Sequence, residues 1–145
     1  MTISLQATTG ALAAGIFGDK MDSIIHFEIP TTDLRRAEAF YEHMFGWKIN
    51  SVPQFKYTLV TTTPSGERGP LEPGAINGGM MLRQGEMQHP ILVINVEDID
   101  THREKIQAAG GILIGEKIPV GDMGISAYFK DTEGNVLCLW QSLKK

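Results

Sequence analysis

The sequence predicts an α+β fold built from two βαβββ modules, and three observations predict it. An alternating strand leads directly into an amphipathic helix. The same strand–helix–Gly–strand order then restarts 65 residues later, with Asp33 and Asp98 opening the helices and Gly46 and Gly111 closing them. Each helix is followed by further strand-like hairpins, more than the two strands per half of a ferredoxin-like fold.

The elements follow in order. Ile24–Pro30 alternates apolar and polar residues and reads as a strand, with His26 and Glu28 on one face and Ile25, Phe27 and Ile29 on the other. Thr32 or Asp33 supplies a helix N-cap. Leu34, Ala37, Phe40, Tyr41, Met44 and Phe45 recur at helical spacing, and Gly46 provides a natural end. "WKINSV" and "FKYTLVTT" read as strands separated by Pro53, the second placing Phe55, Tyr57 and Leu59 on one face. Thr63–Gly74 is a loop rich in Gly and Pro, and "AINGGMMLR" is a strand in which Gly78–Gly79 suggests a bulge or a close backbone approach.

In the second half, Pro90–Val96 is an apolar strand. "EDIDTHREKIQAAGG" is a helix with Ile99, Ile106 and Ala109 inward. "ILIG" is a strand, and "GISAYFK" and "NVLCLWQ" form a hairpin around "DTEGN". On the last strand Cys138 and Trp140 share one face, while Leu137 and Leu139 take the other, against the helices. The single domain is read as 22–145, with modules at about 22–84 and 89–143, and residues 1–21 as an N-terminal extension for which Met21 is an alternative start.

Bulk properties narrow the partners. The formal net charge of −4 and scattered Lys and Arg argue against nucleic acid. No run is long and apolar enough to span a membrane, and "ALAAGIFG" lacks the basic flank of a secretory signal. One cysteine allows no intrachain disulfide and fits a reducing cytoplasm. "PSGERGP" does not match a phosphate-binding loop, and Gly78–Gly79 does not open a helix as a dinucleotide fingerprint would.

"HFEIPTTDLRRAEAFYEHMFGWKI" resembles the first half of a glyoxalase/bleomycin-resistance/dioxygenase domain, the vicinal oxygen chelate superfamily. "GISAYFKDTEGNVLCLWQ" resembles its closing hairpin, with Thr132 where the family usually has Pro. The resemblance implies a mixed sheet curled around a cavity, frequent homodimers, and in enzymatic members a divalent metal held by His or Gln on the first strand of each module and Glu on the last. Carried over position by position, His26 matches the first ligand. Ile91 stands at the second, Cys138 at the last-strand position, and Met80 near the remaining one. His89 lies two residues before Ile91.

Only His26 therefore keeps a ligand of the family's pattern, where such sites use three or four; a metal would otherwise need a rearranged set of His26, Glu28, His89 and Cys138. The expectation is a protein that binds a small organic molecule in a cavity with a degenerate metal site and no cofactor. Its lining would be His26, Glu28, Phe55, Tyr57, Met80, Ile91, Tyr128, Cys138 and Trp140. The alternative is a divalent-metal-dependent lyase, isomerase or dioxygenase-type enzyme using His26. Glu28 is a candidate general base if burial raises its pKa. Residue by residue, ordinary core packing competes with each of these readings. His43 and His102, on the helices, are expected at the surface. A homodimer is expected, both from the resemblance and because exposed sheet edges need cover.

Overall fold

The computed structural model describes residues 20–144, so the extension expected over 1–21 lies almost wholly outside the described residues. The strands are β1 (Ile24–Thr31), β2 (Lys48–Val52), β3 (Tyr57–Thr61), β4 (Ser65–Gly66), β5 (Gly69–Pro70), β6 (Asn77–Leu82), β7 (Ile91–Asn95), β8 (Ile112–Val120), β9 (Gly124–Lys130) and β10 (Val136–Ser142). The helices are α1 (Leu34–Phe45) and α2 (Ile99–Ala108). Eight strands form one mixed sheet in the order β2-β3-β6-β1-β7-β10-β9-β8, and β4 and β5 pair within the Gly/Pro-rich loop.

The sheet order exposes the internal repeat. From the centre outward, β1, β6, β3 and β2 match β7, β10, β9 and β8. In each half the first strand runs parallel to the last, and the two halves meet where β1 pairs antiparallel with β7. Among the described residues no helix is long and apolar enough to cross a membrane.

Both helices lie on one face of the sheet. Ile99 of α2 packs with Val96, Ala127, Phe129 and Leu139, and Ile106 joins them. The first turn of α2 is secured from the sheet, because Gln141 Oε1 accepts a hydrogen bond from Ile99 N at 2.8 Å. α1 is capped by Asp33, whose carboxylate accepts from Arg36 N at 3.1 Å, and Gly46 ends it at φ 69°. Tyr41 stacks on Trp47, which in turn meets Phe27 of β1.

Several expectations are corrected. The apolar stripe of α1 is wider than the surface the sheet offers it: Phe40 is 54% and Met44 59% exposed, and no residue of the helix is fully buried. Ala109 is an exposed C-cap rather than an inward residue. Phe55 is not on a strand. Pro53 starts a short 3-10 turn, Pro53–Phe55, that leaves the Phe55 ring 72% exposed. "ILIG" is only the start of β8. The strand β6 contains no bulge at Gly78–Gly79, because its pairing with β1 and β3 is continuous.

Candidate functional site

Strand parity sets the helix-free face. On β1, His26 pairs with Asn77 and Val93, and Glu28 with Gly79 and Ile91. Cys138 of β10 is beside Val93 and Tyr128. These positions, with Met81 and Trp140, form an apolar cluster of buried Met81, Ile91, Val93, Tyr128 and Cys138, against which Tyr57 and Trp140 pack.

A buried carboxylate sits in this apolar setting. Glu28 is 8% exposed. Its Oε2 accepts from the Tyr57 hydroxyl at 3.0 Å, and its Oε1 accepts from the Tyr128 hydroxyl. The Tyr57 oxygen lies 3.1 Å from His26 Nε2. With Glu28 ionised, Tyr57 must donate to it, so the phenol oxygen is left to accept and Nε2 of His26 carries the proton. The four side chains form one chain of hydrogen bonds, contributed by β1, β3 and β9. Such pairing offsets part of the desolvation of a buried acid.

Gly79 makes the Tyr57 contact possible. β6 separates β3 from β1, and the Tyr57 ring lies across it; a Cβ at Gly79 would be 2.0 Å from the Tyr57 hydroxyl. On the opposite face, a Cβ at Gly78 would be 2.4 Å from the Phe27 ring. The close approach that the glycine pair suggests is therefore made by side chains, one aromatic ring on each side of the strand.

Burial dominates the electrostatics. It pushes the Glu28 carboxyl above its ordinary range, against the opposing pull of the Tyr128 and Tyr57 hydrogen bonds. It pulls the His26 imidazole below its ordinary range. Burial first, and the nearby Glu28 charge second, raise both tyrosine hydroxyls and the Cys138 thiol.

The expected residues fall into three groups. His26, Glu28, Tyr57, Ile91, Tyr128, Cys138 and Trp140 share the helix-free face. Met80 does not: it pairs with Ile29 and Thr58 and faces the helices, fully buried. The repeat-related partner of Cys138 is Gly79, since Gly79 pairs with Glu28 as Cys138 pairs with Val93, 65 residues on. Phe55 lies on its exposed turn. Met81 and Gly79 were not expected in the site; the glycine doublet beside an aromatic strand was the available signal. His89 is exposed in the loop before β7, His43 is exposed on α1, and His102 is half-buried against Asp22 at 2.8 Å.

The donor set does not fit the metal of the family's enzymes. His26 Nε2 is directed at Tyr57, both Glu28 oxygens are engaged by tyrosines, and Ile91 and Gly79 offer no donor. Burial holds Cys138 as a thiol, whereas a metal needs the thiolate. Among the described residues, no group of three or more His, Cys, Asp or Glu is placed to share an ion.

Comparison with known proteins bears on the fold and lineage. Residues 23–63 match the family model "Bleomycin resistance protein-like N-terminal". A "Glyoxylase-like domain-containing protein" of Didymella fabae is 32% identical over 114 residues, which cover 74% of this chain and 84% of that protein. The chain belongs to the glyoxalase/bleomycin-resistance superfamily. A second superfamily relative, "Putative glyoxylase CFP32" of Mycobacterium tuberculosis, is 30% identical over 123 residues, covering 79% of this chain. The chain spans only 44% of that relative's length. The fold is also that of methylmalonyl-CoA epimerase from Mycobacterium tuberculosis, with TM-score 0.56 and 17% identity over 82% of this chain and 87% of the epimerase. A hypothetical protein of Bacillus halodurans aligns with TM-score 0.58 and 14% identity over 87% of this chain and 98% of its own.

Proposed function

We propose that this superfamily member binds a small organic molecule on the helix-free face, around Glu28, through hydrogen bonding and apolar contact in a site that has lost the superfamily's metal. The observation that carries the reading is the buried Glu28 carboxylate held between Tyr57 and Tyr128, one from each half of the chain. Each carboxylate oxygen accepts one tyrosine and keeps capacity for a second donor, so Glu28 can receive a hydroxyl or amine of a ligand. Apolar walls with a few placed polar groups are the usual make-up of a small-molecule site.

The reach of Tyr128 supports a sheet curled around this site. Three strand spacings separate β9 from β1, roughly 14 Å in a flat sheet, yet the Tyr128 hydroxyl bonds to Glu28. Curling shortens that path. The exposed Phe40, Met44 and Phe45 on α1 support a homodimer, which analytical ultracentrifugation would test.

A second reading is enzymatic. A carboxylate raised by burial is a stronger proton acceptor, so Glu28 could serve as general base toward an acidic C–H of the bound molecule. Its signature would be deuterium incorporation into the ligand in D2O, abolished in Glu28→Gln.

The binding reading is tested by a thermal-shift screen of small molecules followed by calorimetry, since a ligand of the native state raises apparent stability. The expected result is a ligand whose affinity falls about tenfold or more in Glu28→Gln. Ligands that bind both forms equally, or stoichiometric divalent metal that disappears in His26→Ala, would overturn it.

A further inference from the structure

We infer that the connection between β6 and β7, residues 83–90, is a strap closed over the Glu28 cluster, which opens as a unit to admit a ligand. The strap is built to keep its own shape. Met87 N donates to Gln84 O at 2.8 Å, Arg83 Nε to Gln88 O at 3.2 Å, and Gln88 Nε2 to Gly85 O at 3.0 Å. Gly85 makes the tip at φ 51°. Its base is fixed to the end of β1, where Arg83 N donates to Thr31 O at 2.8 Å and Arg83 Nη1 to Thr32 Oγ1 at 2.6 Å.

Beyond that base, two side chains hold the strap down. Met87 packs against the cluster of Met81, Ile91, Val93, Tyr128 and Cys138. Glu86 pairs with Lys130, which stands on β9 two residues beyond Tyr128 on the same face. An ion pair this exposed is a weak tie, and Met87 is only half-buried, so the closed state is held loosely by comparison with the sheet beneath it.

There is also somewhere for the opening to lead. A cleft of about 360 Å³ lies between the strap and the β9–β10 turn, lined by Glu86, His89, Pro90, Lys130, Asn135 and Val136. Val136 packs on the same apolar cluster as Met87. Withdrawing Met87 joins the cleft to the cluster around Glu28. The function as a gate rests on the proposal that Glu28 binds a ligand; the opening itself does not.

Cys138 provides the test, being the chain's only cysteine and buried in the cluster against which Met87 packs. The alkylation rate of Cys138 by iodoacetamide is measured in the full chain without ligand. Glu86→Gln is expected to raise the rate about two- to five-fold, and Met87→Ala about tenfold. Ile106→Val, which loosens the helix-side core, calibrates labelling through global unfolding. Strap variants that label faster than Ile106→Val at matched melting temperature support the strap. Variants that label no faster than that control overturn it. Failure here leaves the binding reading standing, because Glu28→Gln calorimetry is a separate measurement.

Discussion

The hydroxyl of Tyr57 reaches the carboxylate of Glu28 across a strand that carries no side chain at the crossing point, Gly79. A methyl group at Gly79 would collide with the Tyr57 side chain, 2.0 Å from its hydroxyl oxygen and 2.2 and 2.4 Å from two ring carbons. Gly79→Ala should therefore displace Tyr57, lose its bond to Glu28, and cost about 2–4 kcal/mol of stability. Urea denaturation measures this. The double variant Gly79→Ala/Tyr57→Ala should be no less stable than Tyr57→Ala alone, because the collision has gone. A Gly79→Ala penalty that persists in the double variant would show that the glycine serves something other than this crossing.

Tyr128 completes the pair from the other half of the sheet. Removing its hydroxyl leaves Glu28 Oε1 buried without that donor, so Tyr128→Phe should destabilise by about 1–3 kcal/mol. Tyr57→Phe should do the same to Oε2 and also remove the partner of His26 Nε2. Both hydroxyls serve one carboxylate, so the two substitutions should not add, with a coupling of about 0.5–3 kcal/mol in a double-mutant cycle. Strict additivity would mean that Glu28 is satisfied in some other way when either hydroxyl is absent.

Much of the fold was readable because its signals are local. Period-two alternation marked β1, the "DTEGN" turn marked the hairpin that contains β10, helical spacing with Asp33 and Gly46 marked α1, and the Asp98–Gly111 restart marked the repeat. Parity alone puts His26 with Glu28 and Cys138 with Trp140. What parity cannot supply is register across a long loop. The Thr63–Gly74 loop and its small β4–β5 hairpin lie between β3 and β6, and a one-residue slip there put Met80 in the place of Gly79. Phe55 was misplaced because Pro53 starts a turn rather than merely separating two strands. The Tyr128–Glu28 bond spans 100 residues of sequence and three strand spacings, a long-range contact that no local pattern encodes.

The N-terminus of α2 gives an independent check on how the sheet secures a helix. Asp98 accepts from Asp100 N, while Gln141 of β10 takes the Ile99 N–H, which has no partner within the helix. Gln141→Ala leaves that half-buried donor unpaired and should cost about 1 kcal/mol. Thermal denaturation would register this as a lower melting temperature. A Gln141→Leu variant should fare no better, since it restores volume but not the acceptor.

Glu28 and His26 should tilt the pH dependence of stability in opposite senses. Glu28 has a folded-state pKa raised above 4.5 by burial, so its contribution is fully present below that value and lost as pH rises through the raised one. His26 has a folded-state pKa lowered below 6.5 by burial, so its contribution is fully present above that value and lost as pH falls through the lowered one. Glu28→Gln removes the first dependence: relative to wild type it should gain stability as pH rises from 4 to 8. His26→Gln removes the second and should gain relative to wild type as pH falls from 7 to 5. Urea unfolding at matched ionic strength across this range reads both slopes. Curves for Glu28→Gln and wild type that run parallel would show that the folded protein holds Glu28 at its ordinary pKa, and would remove the electrostatic basis for treating it as a general base.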